Sequence, residues 1–149
     1  VKNAHSLVER QIYDHGIKSV LDIPDEEIMV HASFIQIEQI IINLVVNSLH
    51  ALDNKDAKDK RIIISTRSKK DCAEIAVSDN ASGIDPELGD KLFDPFYSTK
   101  KGDQGTGLGL AIVKTFVDRL KGSVTYENNS LGGVTFTITI CKTKRKEEK

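Results

Sequence analysis

The chain has 149 residues, 39% hydrophobic and 29% charged, with 21 Lys+Arg against 22 Asp+Glu and a net charge of −1. That length suits one domain able to bury a core without disulfides, and the balanced charge excludes a broad basic surface for nucleic acid, so any attraction for phosphate must be local. Cys72 and Cys141 read as two isolated, partly buried thiols, which excludes a disulfide framework or a cysteine-rich metal cluster and fits a reducing, cytoplasmic location. No run approaches 18 apolar residues and the N-terminus is no signal peptide, so this domain is expected to touch no membrane directly. An anchor elsewhere in a longer protein remains compatible with that.

Helical spacing of Leu7, Val8 and Ile12 predicts a helix over 3–15, stopped by Gly16 as a C′ residue. Ile17–Ile23 alternates as a strand ending at Pro24, and Ile28–His31 reads as a short strand. Ser33 is a good N-cap for a long helix from Phe34 to about Asp53. The polar run 53–60 is a surface connection, and 61–69 and 72–79 form a hairpin across Lys69-Lys70-Asp71. Residues 80–106 lack regular pattern and are rich in Gly, Asp and Ser; a loop that long marks a functional segment or lid. A helix over 107–121 follows, then strands 122–127 and 134–141 joined by 128–133. The expected fold is α+β: a two-layer sandwich with about three helices on one face of a mixed, mainly antiparallel sheet. The domain is expected over 1–141, with 142–149 a charged, disordered tail.

Gly105-Thr106-Gly107-Leu108-Gly109-Leu110 places three glycines at alternate positions just before a helix. Inside a helix or strand each would cost roughly 0.5–1 kcal/mol. At a helix N-terminus they let backbone N–H groups approach a phosphate, which the helix dipole also favours. On the long helix, Gln36, Gln39, Asn43, Asn47, His50 and Asn54 fall within an arc of about 80°. That stripe holds no Lys or Glu, the residues that normally fill a solvated face. It is either a merely polar face or a site; Asn oxygens are neutral hard ligands suited to Mg²⁺, which takes its charge partners from phosphates. Asp79-Asn80-Ala81-Ser82-Gly83-Ile84 puts a carboxylate at a strand end before a tight turn. It can accept from an exocyclic amine such as that of adenine, or it is ordinary turn chemistry. The glycines are not a dinucleotide fingerprint, since a loop precedes them and the spacing is Gly-x-Gly-x-Gly, and no Gly-Lys-Ser/Thr marks a Walker A loop.

In order, these segments resemble the catalytic, ATP-binding domain of two-component sensor histidine kinases of the GHKL (Bergerat-fold) superfamily. Asn43 to Ala51 is similar to the N box and Asp79 to Ile84 to the G1 box. Phe93-Asp-Pro-Phe-Tyr-Ser-Thr-Lys100 is similar to the F box, Gly105 to Leu110 to the G2 box, and Gly132 to Phe136 to the last glycine box. The F-box wording looks most like kinases of the nitrogen-regulation and oxygen-sensing type.

The resemblance implies an enzyme, a protein-histidine kinase that binds Mg-ATP and passes the γ-phosphoryl group to a histidine on a separate dimerisation hairpin. A response regulator would act downstream. Asn47 would hold Mg²⁺, with Asn43 supporting metal and phosphates. Asp79 would read the adenine amine, with Gly83 and Ile84 beside the base. Phe96, Thr99, Lys100, Gly105, Thr106, Gly107, Leu108, Gly109 and Leu110 would lie along the lid and phosphates. His50 stands where the family often has Lys or Arg, and is a phosphate contact or a neutral surface residue.

Ala81 stands in place of a G1 glycine; if that position needs φ > 0, the turn is strained by roughly 1 kcal/mol. Val134 replaces a frequent Thr, for which Thr135 is expected to compensate. Related ATPases carry Glu at the position of Asn43 as general base for water; an amide cannot accept that proton, which points to transfer rather than hydrolysis. His5, His15, His31 and His50 all lack the acceptor-box context, so the acceptor is expected outside this chain. A nucleotide-binding regulatory module without phosphotransfer, or a GHKL ATPase, is the alternative, with Ala81 the hint for a silent module.

Overall fold

The computed structural model describes residues 1–97 and 107–142. Helix α1 (Lys2–Asp14) buries Ala4, Val8 and Ile12 and ends in a Schellman motif. Gly16, at φ 69°, donates to the Tyr13 carbonyl at 2.9 Å, and Ile17 donates to the Ile12 carbonyl at 3.2 Å. Strand β1 (Lys18–Asp22) runs parallel to β2 (Arg61–Ser68), with Val20 beside Ile63. Residues 28–31 form no strand; Val30 makes a single bridge to Lys142. Lys142, expected in the tail, is thereby part of the folded domain.

Helix α2 (Phe34–Asp53) lies between those strands in sequence. Ser33 caps it, and the Ser33 N–H donates back to Gln36 Oε1 at 3.2 Å. Its 20 residues are long and apolar enough to cross a membrane. Here that apolar surface forms the centre of the core, because Ile40, Ile41, Leu44, Val45 and Leu49 are buried against the sheet. Strands β2 and β3 (Cys72–Asp79) form the expected hairpin, with Lys69 N–H on the Cys72 carbonyl at 2.8 Å.

The stretch after β3 holds more structure than its composition suggests. Pro86–Phe93 forms 3₁₀ turns, started by Asp85 Oδ1 accepting from the Glu87 N–H at 2.9 Å and interrupted at Gly89. Phe93 anchors it in the core, 6.2 Å from the Tyr126 ring and 6.4 Å from Phe136. Helix α3 (Gly109–Arg119) is shorter than expected, and β4 (Ser123–Asn128) and β5 (Val134–Cys141) complete the domain.

The five strands are ordered β1-β2-β3-β5-β4; β1 and β2 are parallel and the other pairs antiparallel. One face is packed: Ile62, Ile64, Ile75, Val77, Phe136, Ile138 and Ile140 share a core with α1, α2 and α3. Because β5 joins β3 while α2 lies across them, the ends of β3, β5 and α2 converge at Asp79.

Candidate nucleotide-binding site

Asp79 is the last residue of β3 and is 1% exposed. Its Oδ2 accepts from Ser48 Oγ of α2 at 2.9 Å. Its Oδ1 accepts from the main-chain N–H groups of Ala81 at 3.1 Å and Val134 at 3.3 Å. Such donors hold a buried carboxylate in one orientation and offset its loss of water. Gly133 makes the approach feasible, since a Cβ there would overlap the Asp79 carbonyl and Oδ1. Asn129 Nδ2 donates to the Asp79 carbonyl at 3.0 Å, so the β4–β5 turn is fastened to the same residue.

This carboxylate sits on the wall of a cavity of about 350 Å³, also lined by Asn47, Ala51 and Asn54 of α2. Ala81, Ser82, Gly83 and Ile84 form the turn side, and Leu92 and Val134 supply apolar walls. A concave site that joins apolar walls to fixed polar groups such as Asp79 and Asn47 suits a small polar ligand. Gly83 has φ 74°, and a Cβ on it would lie 2.7 Å from Asn128 Oδ1. The same Asn128 side chain clips Ile84, accepting from its N–H and donating to its carbonyl, both at 2.8 Å. Only glycine at 83 lets the chain turn beneath that clip.

Ala81 is not strained. It is 4% exposed and lies outside the left-handed region, where the described non-glycine residues are Phe96 and Lys121 alone. The expected weakening of the turn therefore does not arise. Thr135 is not brought to the cavity; the alternation of β5 sends Val134 toward it and Thr135 to the other sheet face. There its Oγ1 lies 2.8 Å from Ser78 Oγ and accepts from Asn129 at 3.2 Å.

The amide stripe divides by task. Gln36 caps α2, and Asn54 Nδ2 donates to the His50 carbonyl at 3.3 Å while edging the cavity. Asn47 lines the cavity with Asp79, whereas His50 is half-buried outside it. Asn43 faces the start of α3: its Oδ1 lies 3.8 Å from where a Gly109 Cβ would stand. Its Nδ2 is buried without a hydrogen-bond partner among the described residues. No side chain caps α3 among the described residues, and its first turn holds no acidic residue. An unmet amide beside a helix N-terminus fits the oxygens of a phosphate.

Gly107, at φ 69°, approaches the backbone of Phe96 so closely that a Cβ would lie 2.6 Å from the Phe96 carbonyl carbon. Phe96 itself is 75% exposed and does not line the cavity. Leu108 and Leu110 flank Gly109 at the start of α3, half-buried. Thr99, Lys100, Gly105 and Thr106 lie outside the described residues. Sequence reasoning missed Ser48, Leu92 and Asn129, and placed Gly133 only within the last glycine box; the sole signal for Ser48 was a hydroxyl on the otherwise apolar buried side of α2.

The fold and cavity define a nucleotide-binding domain of α+β type. The profile of the histidine kinase-, DNA gyrase B-, and HSP90-like ATPases matches residues 32–144. Over 136 residues the chain is 32% identical to the two-component sensor PprA of Pseudomonas aeruginosa, covering 89% of this chain and 15% of PprA. It is 33% identical over 148 residues to the sensory histidine kinase/phosphatase NtrB of Vibrio alginolyticus, covering 93% of this chain and 38% of NtrB. The catalytic domain of histidine kinase ThkA superposes with a TM-score of 0.81 at 31% identity, covering 95% of this chain and 91% of that one. The chain belongs to the histidine kinase-, DNA gyrase B-, and HSP90-like ATPase family, and within it to the histidine kinase catalytic domains. It spans well under half the length of the full-length sensor relatives it matches.

Proposed function

We propose that this chain binds Mg-ATP and delivers the γ-phosphoryl group to a histidine on a separate dimerisation hairpin, as the catalytic domain of a sensor kinase working in the cytoplasm. One observation carries the reading: Asn47 of α2 and Asp79 of β3 open into the same cavity. Asp79 would receive the adenine amine, with Gly83 and Ile84 beside the base. Asn47 would hold Mg²⁺, which when bound neutralises phosphate charge, and Asn43 with the α3 N-terminus would steady the phosphate oxygens. Thr99, Lys100, Gly105 and Thr106 are assigned to the phosphates by family resemblance, and His50 to their edge.

The amide at Asn43 offers no base for water, whereas an imidazole is nucleophilic near neutral pH without one. The protein would therefore work by positioning two reactants in line, not by activating water. ThkA has been solved together with the response regulator protein TrrA, which supports a response regulator as the downstream partner here.

The test supplies Mg-ATP and a dimerisation hairpin, linked or in trans. Acid-labile, base-stable phosphate on the hairpin is the expected result; tight ATP binding without transfer would make this a silent nucleotide-binding module. Asn47→Ala is expected to weaken Mg-dependent ATP binding by at least about tenfold, or 1.4 kcal/mol. Unchanged metal dependence would remove Asn47 from the metal site.

A further inference from the structure

The two cysteines are far apart in the chain yet are register partners: Cys72 of β3 lies directly opposite Cys141 of β5. The adjacent pair identifies which kind of opposition this is. Lys142 N–H donates to the Asp71 carbonyl at 3.0 Å, and 71 and 142 continue the same register. Hydrogen-bonded and non-hydrogen-bonded pairs alternate along an antiparallel ladder, so Cys72 and Cys141 occupy a non-hydrogen-bonded pair. There the Cα atoms stand about 4.5 Å apart and the side chains share a face. That spacing lies within the range a disulfide spans, near its short end.

The shared face is the one away from the helices: Ala73 and Ile140, the next pair along, are buried in the core direction. Cys72 is half-buried, Cys141 is exposed, and both thiols are free. A short-spanned, exposed disulfide is readily reduced, as exchange sites are, whereas structural disulfides resist reduction.

We propose that Cys72 and Cys141 form a reversible thiol–disulfide exchange site whose co-reactant is a low-molecular-weight disulfide of the glutathione type. The Cys141 thiolate attacks one sulfur of that disulfide; its S–S bond breaks, one thiol leaves, and a mixed disulfide forms on Cys141. The Cys72 thiolate then attacks the Cys141 sulfur and expels the second thiol. The protein gives up two electrons and two protons, and the small disulfide becomes two thiols. The cross-link would pin β3 to β5 at the end of the sheet opposite Asp79 and Val134. It encloses the turn after β3, residues 98–106, α3 and β4 in one covalent loop.

The full chain is treated with glutathione disulfide, its remaining thiols are alkylated, and intact mass is measured. The expected product is monomeric, has lost two hydrogens and both alkylatable thiols, and reverts with dithiothreitol. Cys72→Ser and Cys141→Ser should each stop at a stable glutathione adduct. Glutathione adducts on both cysteines of the parent, or cross-linking only between chains, would each overturn the proposal.

Discussion

Ser48 Oγ donates a hydrogen bond to Asp79 Oδ2 across 2.9 Å, and both residues are at most 1% exposed. The bond ties the C-terminal half of α2 to the end of β3 and holds the carboxylate plane toward the cavity. A buried hydrogen bond to a charged group contributes about 1.5–3 kcal/mol, and removing the donor leaves the charge underpaired. Ser48→Ala is therefore expected to lower stability by about 2 kcal/mol in urea unfolding with an unchanged m-value. ADP should still raise the melting temperature of the variant, since Oδ2 keeps room for an incoming amine. A variant as stable as the parent would show that this bond contributes nothing net.

Gly133 meets the same carboxylate from the turn just before β5. A Cβ there would run into the Asp79 carbonyl and Oδ1, one of which is backbone and the other held by two N–H groups. Neither can retreat without opening the β3–β5 end of the sheet. Gly133→Ala should fold, with far-UV circular dichroism like the parent, yet bind nucleotide at least about tenfold more weakly, a loss of 1.4 kcal/mol or more. Isothermal titration with a non-hydrolysable ATP analogue decides this. Parent-like affinity would mean that the Asp79 orientation is not what the cavity reads.

Much of this site is visible in the sequence because its signals are local. The amide stripe of α2 depends only on helical spacing, and Gly83 follows from a turn that begins at a strand end. What escaped depends on pairings between distant segments. Val134, not Thr135, reaches the cavity because a one-residue step along a strand changes sheet face. Ser48, Gly133 and Asn129 act on Asp79 only through the approach of α2 and β5 to β3. Cys72 and Cys141 read as isolated because register is invisible until β5 is placed beside β3. The 3₁₀ turns of Pro86–Phe93 were hidden by the same Gly, Pro and Asp residues that define their ends. Ala81 shows the converse: a family glycine need not mark a left-handed backbone.

The Phe96 N–H donates to the Gly107 carbonyl at 2.9 Å, joining the chain on either side of residues 98–106. Gly107 is left-handed at φ 69°, and a Cβ would lie 2.7 Å from Phe96 Cα. Gly107→Ala thus meets both backbone strain of about 1–2 kcal/mol and a clash with main-chain atoms. The Phe96–Gly107 bond should open, with ATP-analogue affinity falling by at least about tenfold. Thermal stability should fall less than for Ser48→Ala, because Phe96 is exposed while Ser48 is in the core. Hydrogen exchange at the Phe96 amide provides the direct readout; protection equal to the parent would contradict the pairing.

Helix α3 ends with Lys121 at φ 54°, in the C′ position of a Schellman motif. Lys121 N–H donates to the Asp118 carbonyl and Gly122 N–H to the Val117 carbonyl, each at 3.0 Å. Glycine is the usual residue there. It stands one position later because a Cβ at Gly122 would strike the Thr139 carbonyl of β5. The sequence has spent its glycine on close packing and left a lysine in the left-handed turn. A non-glycine residue in that conformation costs about 1–2 kcal/mol, while glycine gives back about 0.4–1 kcal/mol through a freer unfolded chain. Lys121→Gly should therefore be more stable than the parent by about 0.5–1 kcal/mol, a rise of roughly 2–3 °C. Lys121→Ala retains the strain and, because the side chain is exposed, should match the parent. Urea unfolding of the three proteins side by side separates backbone strain from loss of the lysine. If Lys121→Gly falls below Lys121→Ala, the left-handed turn at the end of α3 carries no strain to relieve.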